Sequence, residues 1–483
     1  MFLKWSKLTI ILFIIIFLEG YIVLASEILA IRQVTTYVGS GADTVSIIIA
    51  AVLMPLAFGY YVGGNFKPRL GRNGKWISVR SKLISNVVIA ACFLIPALGT
   101  LAIDFFFSML FQVGISDRIL LTSVYSLIFL VVPVFLLGQT VPLISNYFSS
   151  QKLPLVTAKI LFVSTAGSFI GSVVTTIVIM RYFGVNNAVN VIFVLMTFLV
   201  VLLSKKILND KTIIILLLAG LMLYTNSNAM LRGLGIIYSN AYNTASILEV
   251  EKGKILVLNG SASSFIGKNG EKFPYAEYIQ KHYLNQISKD LTQPPKKILI
   301  IGAAGFTLGS EDSHNDYTYV DIDPDIKATA EKDFLKHKLG ANKKFVGHDI
   351  VAYLAVNQTK FDMIVIDAFS SRVYIPEQLL SHNFFVEVKK SLALNGVLVA
   401  NFIVSPNFNN SFSKRLDNTF RSVFPHYGRQ VVGADDFDGW SGDVHNMTNV
   451  VYTFRNDQTE DGTVYTNNNN TAAFDKPDVI HKQ

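Results

Sequence analysis

The chain has 483 residues, too many for one ordinary domain, and 51% of them are hydrophobic while only 16% are charged, with a mean hydropathy of +0.42. A uniformly soluble protein does not carry that balance. The net charge of +8 invites a nucleic-acid reading, but much of the basic excess lies between apolar segments, where membrane orientation accounts for it. The single cysteine, Cys92, sits inside an apolar run, which excludes a disulfide framework and a cysteine metal site; no metal is expected.

Residues 1–226 read as a polytopic membrane domain. Ile10–Ile31 is long enough to span and lacks the small-residue cleavage site of a signal peptide. Further spans fall at Val45–Gly64, Leu83–Ile103, Ile119–Ile144, Leu155–Met180 and Val189–Ser204, and Thr212–Tyr224 is a seventh, short one. Lys4 and Lys7 precede the first span. Lys67, Arg69, Arg72, Lys75, Arg80 and Lys82 fill the segment between the second and third; Lys152 and Lys159 flank the next turn on that side, and Lys205 and Lys206 follow the sixth span. The rule that basic loops stay inside puts the N-terminus in the cytoplasm of a bacterial-type inner or plasma membrane. Six spans leave the chain beyond residue 226 in the cytoplasm and seven place it outside; hydropathy leans to seven, nucleoside supply to six, and the cytoplasmic side is preferred.

Within the spans, Gly59-x-x-x-Gly63 and Gly167-x-x-x-Gly171 suit close helix crossings, inside one bundle more often than in a homodimer. Glu19 and Glu27 are costly intramembrane carboxylates that suggest a proton or cation path, unless Arg32 neutralises Glu27 one turn on.

After Asn226 the texture becomes that of a soluble protein. Residues 227–295 hold two short strands about Gly253, ending at Asn259-Gly260, then a helix opened by Phe273-Pro274-Tyr275 and running to about Ile287. Residues 296–460 alternate strands and helices. Lys297–Ile301 is a β-branched run of the kind buried in parallel sheets, breaking into the small-residue turn Gly302-Ala303-Ala304-Gly305. A second strand ends at Asp321, and Asp323-Pro324 starts a helix. A third strand leads to Asp349 and a fourth ends at Asp367. Strand, glycine turn, helix, strand and acid make the nucleotide-binding half of a Rossmann-like doubly wound fold, whose ligands lie at the carboxyl edge of the sheet. Any one strand-end Asp could be only a helix N-cap; three together point to a site. Residues 461–483, with the Asn467–Asn470 run, read as a disordered tail.

In their order and spacing these motifs resemble the spermidine synthase (polyamine aminopropyltransferase) family in a membrane-fused form. Ile255–Gly260 is similar to the family's entry hairpin, Tyr275-Ala276-Glu277 to its YHE, Ile301–Leu308 to its glycine-rich nucleoside loop, and Val320–Pro324 to its VEIDP. Phe361–Ser370 resembles the catalytic loop, and Ile375–Phe385 the segment after it. The resemblance implies a class I methyltransferase-like α/β domain behind a transmembrane bundle. It also implies an aminopropyl group moved from decarboxylated S-adenosylmethionine to a polyamine such as putrescine. Asp367 would be the base, Gly302 and Gly305 would admit the nucleoside, Asp321 would hold its ribose, and Asp349 would meet its adenine. Ser263, Tyr275, Glu277 and Ser370 would line the amine side.

Three departures bear on the substrate. The loop has no Asp for the donor's free amine, with Gly305 and Phe306 in that region. Ser370 and Ser371 replace a second catalytic-loop acid, and Arg372 beside them would repel a diamine. Ser263 and Ala276 stand for a glutamine and a histidine, and Asp435, Asp436 and Asp438 form a late acidic loop that could supply substitute acids. Two other readings therefore stand beside the first: a methyltransferase-like enzyme using S-adenosylmethionine itself on a non-polyamine acceptor, and a transporter or sensor with a degenerate nucleoside domain.

Overall fold

A computed structural model describes residues 7–70, 76–146, 153–204, 209–287, 292–368, 375–432 and 447–457. Of the residues named from the sequence, Lys4, Arg72, Lys75, Lys152, Lys205, Lys206, Ser370, Ser371, Arg372, the acids at 435–438 and the tail lie outside the described residues.

The first half is helical: α1 (Lys7–Val38), α2 (Ala42–Gly64), α3 (Val79–Leu98), α4 (Thr100–Gln112), α5 (Arg118–Phe129), α6 (Val131–Gly138) and α7 (Thr140–Ser145). Then come α8 (Leu153–Val173), which passes through a π-helical stretch, Val174–Met180, into α9 (Arg181–Phe183), α10 (Val185–Leu203), α11 (Asp210–Thr225) and α12 (Asn228–Gly233). Between α2 and α3 lies a two-residue pairing of β1 (Arg69–Leu70) with β2 (Trp76–Ile77). Five helical segments are long and apolar enough to cross a membrane, and α5 with α6–α7, bent by 44°, makes a sixth. Large apolar side chains such as Phe105, Leu127, Phe162, Phe169 and Leu217 point outward, the pattern of helices solvated by lipid.

Two expectations need correcting. The third apolar stretch does not run to Ile103, because α3 stops at Gly99 and a separate short helix, α4, begins there. Arg32 does not neutralise Glu27. No ion pair joins the two; Arg32 instead donates from Nε to the Asn240 carbonyl at 2.9 Å and from Nη2 to Thr244 Oγ1 at 3.4 Å, in the soluble half.

The glycine pairs serve packing within the chain. A Cβ on Gly167 would lie 2.1 Å from the Phe17 carbonyl oxygen, and one on Gly171 2.5 Å from that of Tyr21. Gly59 and Gly63 seat α2 in the same way against Phe135 and against Gln139 with Pro142. With both motifs occupied inside the bundle, neither argues for a dimer.

The second half opens with an antiparallel sheet of four strands, two more than the hairpin read from sequence: β3 (Ile236–Ser239), β4 (Thr244–Val250), β5 (Gly253–Leu258) and β6 (Ser261–Gly267). A helix over Pro274–Ile279 continues through a π-helical turn to Ile287. The large sheet comes next, with β7 (Lys297–Ile301), β8 (Asp316–Asp321), β9 (Lys343–Gly347), β10 (Phe361–Ile366), β11 (Leu392–Val404), β12 (Gly428–Val431) and β13 (Thr448–Arg455). Its order is β12-β13-β11-β10-β7-β8-β9, parallel from β9 through β11, with β13 antiparallel to both β11 and β12. This is the doubly wound arrangement expected from the alternation.

The strands are apolar on both faces because both are covered. Leu299 and Ile301 face a core with Phe385, Phe402 and Phe420, while Ile298 and Ile300 face one shared with Ile255, Phe265 and Ile279. The small sheet therefore packs directly on the large one. The chain leaves β7 toward β8 on one side and reaches β10 on the other, so the gap between the carboxyl ends of β7 and β10 is the topological switch point, where such sheets bind ligands.

Candidate active site

Gly302 closes β7 at that switch point with φ +89°, a conformation open to glycine and strained for other residues. A Cβ there would lie 2.2 Å from the carbonyl oxygen of Asp367, the residue just past β10. The two strand ends are thus in backbone contact, and the Asp367 N–H donates to the Ile301 carbonyl at 2.9 Å. Next along the turn, the Ala303 N–H donates to Asp321 Oδ2 at 2.9 Å, and Asp321 Oδ1 accepts the Asp323 N–H at 3.0 Å. Two carboxylates from strands on either side of β7 therefore flank one turn. Burial pushes the Asp321 carboxyl above the usual carboxylate range, against the pull of the N–H groups of Asp323 and Ala303.

Asp367 is held by side chains instead. The Tyr275 hydroxyl donates to Oδ2 at 3.0 Å and the Asn401 amide to Oδ1 at 3.0 Å. Burial raises its pKa to about 6, and the bonds from Asn401 and Tyr275 limit the rise. Burial, with Asp367 beside it, also raises the Tyr275 phenol well above its ordinary value, so it stays a donor. A carboxylate poised near 6 is ionised at neutral pH and still accepts a proton readily, as a general base requires.

The other residues expected at the site fall into place less evenly. Asp349 caps the helix Ile350–Val356, accepting the Ala352 N–H at 2.9 Å, the N-cap role open to any strand-end Asp. The space beside Gly305 is filled by the chain: a Cβ would lie 2.4 Å from Phe334 and 2.7 Å from Ser264, and the Gly305 N–H donates to Ser264 Oγ at 3.0 Å. Phe306, at φ +56°, turns into the core against Tyr319 and Phe345, with ring centroids 5.0 and 5.6 Å away. Ser263 donates to the Ser261 carbonyl, and the exposed Glu277 accepts the Lys272 N–H at 3.0 Å; no bond brings either to Asp367. Of the candidates expected on the amine side, Tyr275 alone among the described residues bonds to Asp367.

Two features escaped the sequence reading. Asn401, 1% exposed, is the one amide in the apolar run Val397–Val404 of β11, and that interruption was its only signal. Asp323 does not start a helix. Its fully buried carboxylate accepts from the Tyr238 hydroxyl at 2.5 Å, Asn240 at 2.8 Å, Asn243 at 2.9 Å and the Asp325 N–H at 3.0 Å. The helix begins at Ile326, and Asp323 ties the small sheet to the tip of β8, beside Asp321.

The family model for the spermine/spermidine synthase domain matches residues 273–433, which include Tyr275, Gly302, Asp321, Asp367 and Asn401 but not the small sheet. The polyamine aminopropyltransferase of Vibrio vulnificus is 34% identical over 185 residues, 34% of this chain and 58% of that protein. The polyamine aminopropyltransferase of Sulfurisphaera tokodaii is 30% identical over 218 residues, 43% of this chain and 69% of that protein. The chain thus spans less than two thirds of the first relative and slightly more than two thirds of the second. The crystal structure of spermidine synthase from Thermotoga maritima aligns with a TM-score of 0.36 at 18% identity, over 50% of this chain and 84% of that one.

Proposed function

We propose that this chain, which belongs to the polyamine aminopropyltransferase (spermidine synthase) family, is a membrane-embedded transferase that moves an aminopropyl group from decarboxylated S-adenosylmethionine to an amine. The amine nitrogen attacks the carbon beside the sulfonium, the carbon–sulfur bond breaks toward sulfur, methylthioadenosine leaves, and the amine's proton passes to Asp367. The observation that carries this reading is the half-buried Asp367, oriented by Tyr275 and Asn401, in backbone contact with the glycine turn. A protonated amine has no lone pair, so a base positioned there is what the transfer needs. Asp321 would hold the ribose, the Gly302-Ala303 turn would admit the nucleoside, and Asp349 would add the adenine contact. A cationic donor and a cationic acceptor are both drawn to a cleft edged by carboxylates.

One observation favours a second reading. The loop Gly302–Leu308 holds no acid for the donor's free amine: Phe306 is buried in the core, and of the two acids that follow, Glu311 lies 3.8 Å from Lys272 and Asp312 is bonded to Asn315 and Tyr317. S-adenosylmethionine carries its own carboxylate beside the ammonium, so methyl transfer from it depends less on such an acid. The test is purified full-length protein in detergent with decarboxylated S-adenosylmethionine and putrescine, with methylthioadenosine as the expected product. No methylthioadenosine, with S-adenosylhomocysteine released from the ordinary donor, would replace the first reading by the second.

A further inference from the structure

The directions of the crossing helices can be followed from their contacts. Phe17 and Tyr21 of α1 meet Gly167, Gly171 and Thr175 in order, so α1 runs parallel to α8 and its π-helical extension. Asp43 at the start of α2 pairs with Arg118 at the start of α5 at 2.8 Å, and Gly63 at its end meets Pro142, so α2 and the bent pair run parallel as well. At the start of α3, Arg80 bonds the Leu203 carbonyl at the end of α10; at its end, the Leu98 carbonyl accepts from Gln33 near the end of α1 at 2.6 Å.

The short α11 is decisive. At its start, Lys211 Nζ donates to the Ser81 carbonyl at 3.2 Å, level with the beginning of α3. Near its other end, the Met222 methyl lies 3.5 Å from where a Cβ on Gly99 would be, and Asn226 donates to Asn190 Oδ1 at 3.4 Å, level with the end of α3 and the first turns of α10. Its 16 residues, about 24 Å of helix, therefore cover the same depth as the 20-residue α3 beside it. It is a crossing, not a surface helix.

The soluble half docks on the end of the bundle that α11 reaches. Arg32 near the end of α1 binds Asn240, Arg118 at the start of α5 lies 3.6 Å from Glu377, and Gly184 between α9 and α10 abuts Ser239. The other end carries Lys67, Arg69, Arg80 and Lys82, the start of α1 with Lys7, and Lys211. We infer that the chain crosses the bilayer seven times and presents the Asp367 cleft on the non-cytoplasmic face, because the basic end is the one retained inside. This replaces the preference for the cytoplasmic side.

A sulfonium is permanently charged and does not cross hydrocarbon unaided. A donor made in the cytoplasm must then be carried across the membrane before this site can use it, and the acceptor is an amine present outside. The cargo rests on the transferase reading; the placement of the cleft does not. The test uses the full chain with Cys92→Ala and one new cysteine, either Val356→Cys in the soluble half or Leu70→Cys at the basic end, both exposed positions that leave the loop charges intact. Intact cells are treated with a membrane-impermeant maleimide before or after lysis. Val356→Cys labelled in intact cells, with Leu70→Cys labelled only after lysis, is the expected result. Val356→Cys labelled only after lysis, or both positions labelled alike, overturns the placement whatever the activity proves to be.

Discussion

Asp321 and Asp367 end neighbouring parts of one sheet, yet they are held by different means. Asp321 takes its bonds from main-chain N–H groups of Ala303 and Asp323, whereas Asp367 takes them from the side chains of Tyr275 and Asn401, which come from two other segments. A carboxylate fixed by backbone survives most substitutions around it, and one fixed by side chains can be retuned by changing a single neighbour. The side of the cleft proposed for the nucleoside is thus conservative in construction, and the side proposed for transfer is adjustable.

The comparison breaks most plainly at Asp367→Asn. Without the base, turnover should fall about 10²- to 10⁴-fold while methylthioadenosine binding, followed by calorimetry, stays near that of the parent. Equal loss of binding would place Asp367 on the nucleoside side. Stability should move the opposite way. A folded-state pKa raised to about 6 gives stability that is complete below the unfolded value and lost as pH rises through 6. Above pH 6 the Asn variant should therefore melt higher than the parent, with the gap closing toward pH 4. Asn401 can accommodate the change by turning its amide, because its Oδ1 has no partner in the parent. A variant that melts lower at pH 7.5 would show the ionised carboxylate to be net stabilising.

Asp321→Asn tests the other side. The new amide must set N–H groups against one of the backbone donors, and a charge-assisted acceptor of about 1.5–3 kcal/mol is lost, so nucleoside affinity should weaken about 10- to 100-fold. Unchanged affinity would end its assignment to the ribose. Gly302→Ala acts on both sides at once: at φ +89° and 2.2 Å from the Asp367 carbonyl, the methyl group forces β7 and β10 apart. A cost of about 1–3 kcal/mol, read as a lower melting midpoint together with losses of binding and turnover, is expected. Binding lost with turnover intact would show that the turn serves the nucleoside alone.

Much of this cleft was legible in the chain because it depends on local signals. The apolar run 297–301, the glycine at its end and the acids at 321 and 367 are each readable from a few consecutive residues. What was not legible depends on contacts across long separations. Asn401 acts 34 residues from Asp367, and Tyr238, Asn240 and Asn243 reach Asp323 over 80 residues or more. Periodicity carries no trace of such pairings. Phe306 misled for a local reason: its place in the loop suggests the cleft, but a positive φ turns its ring into the core. The bundle behaves alike, since hydropathy marks α11 as short and only its neighbours reveal that it spans the depth of α3.

The smallest expected effect is the sharpest test of adjustable construction. Tyr275→Phe keeps the ring, which stacks on Phe273 with centroids 6.2 Å apart, and removes one hydrogen bond to the ionised carboxylate. That bond favours the charged form, so its loss raises the Asp367 pKa further above 6. Since the base works ionised, the acid limb of the rate profile should move to higher pH. Turnover should drop about tenfold near pH 6, and the loss should shrink as pH rises, where both proteins are ionised. A loss equal at all pH values would mean that Tyr275 positions substrate instead of the base. The same substitution should leave nucleoside affinity alone, because no atom of Tyr275 supports the Ala303–Asp321 contact. A pH-dependent loss of turnover with constant affinity would separate the two carboxylates by function as cleanly as their hydrogen bonds separate them by construction.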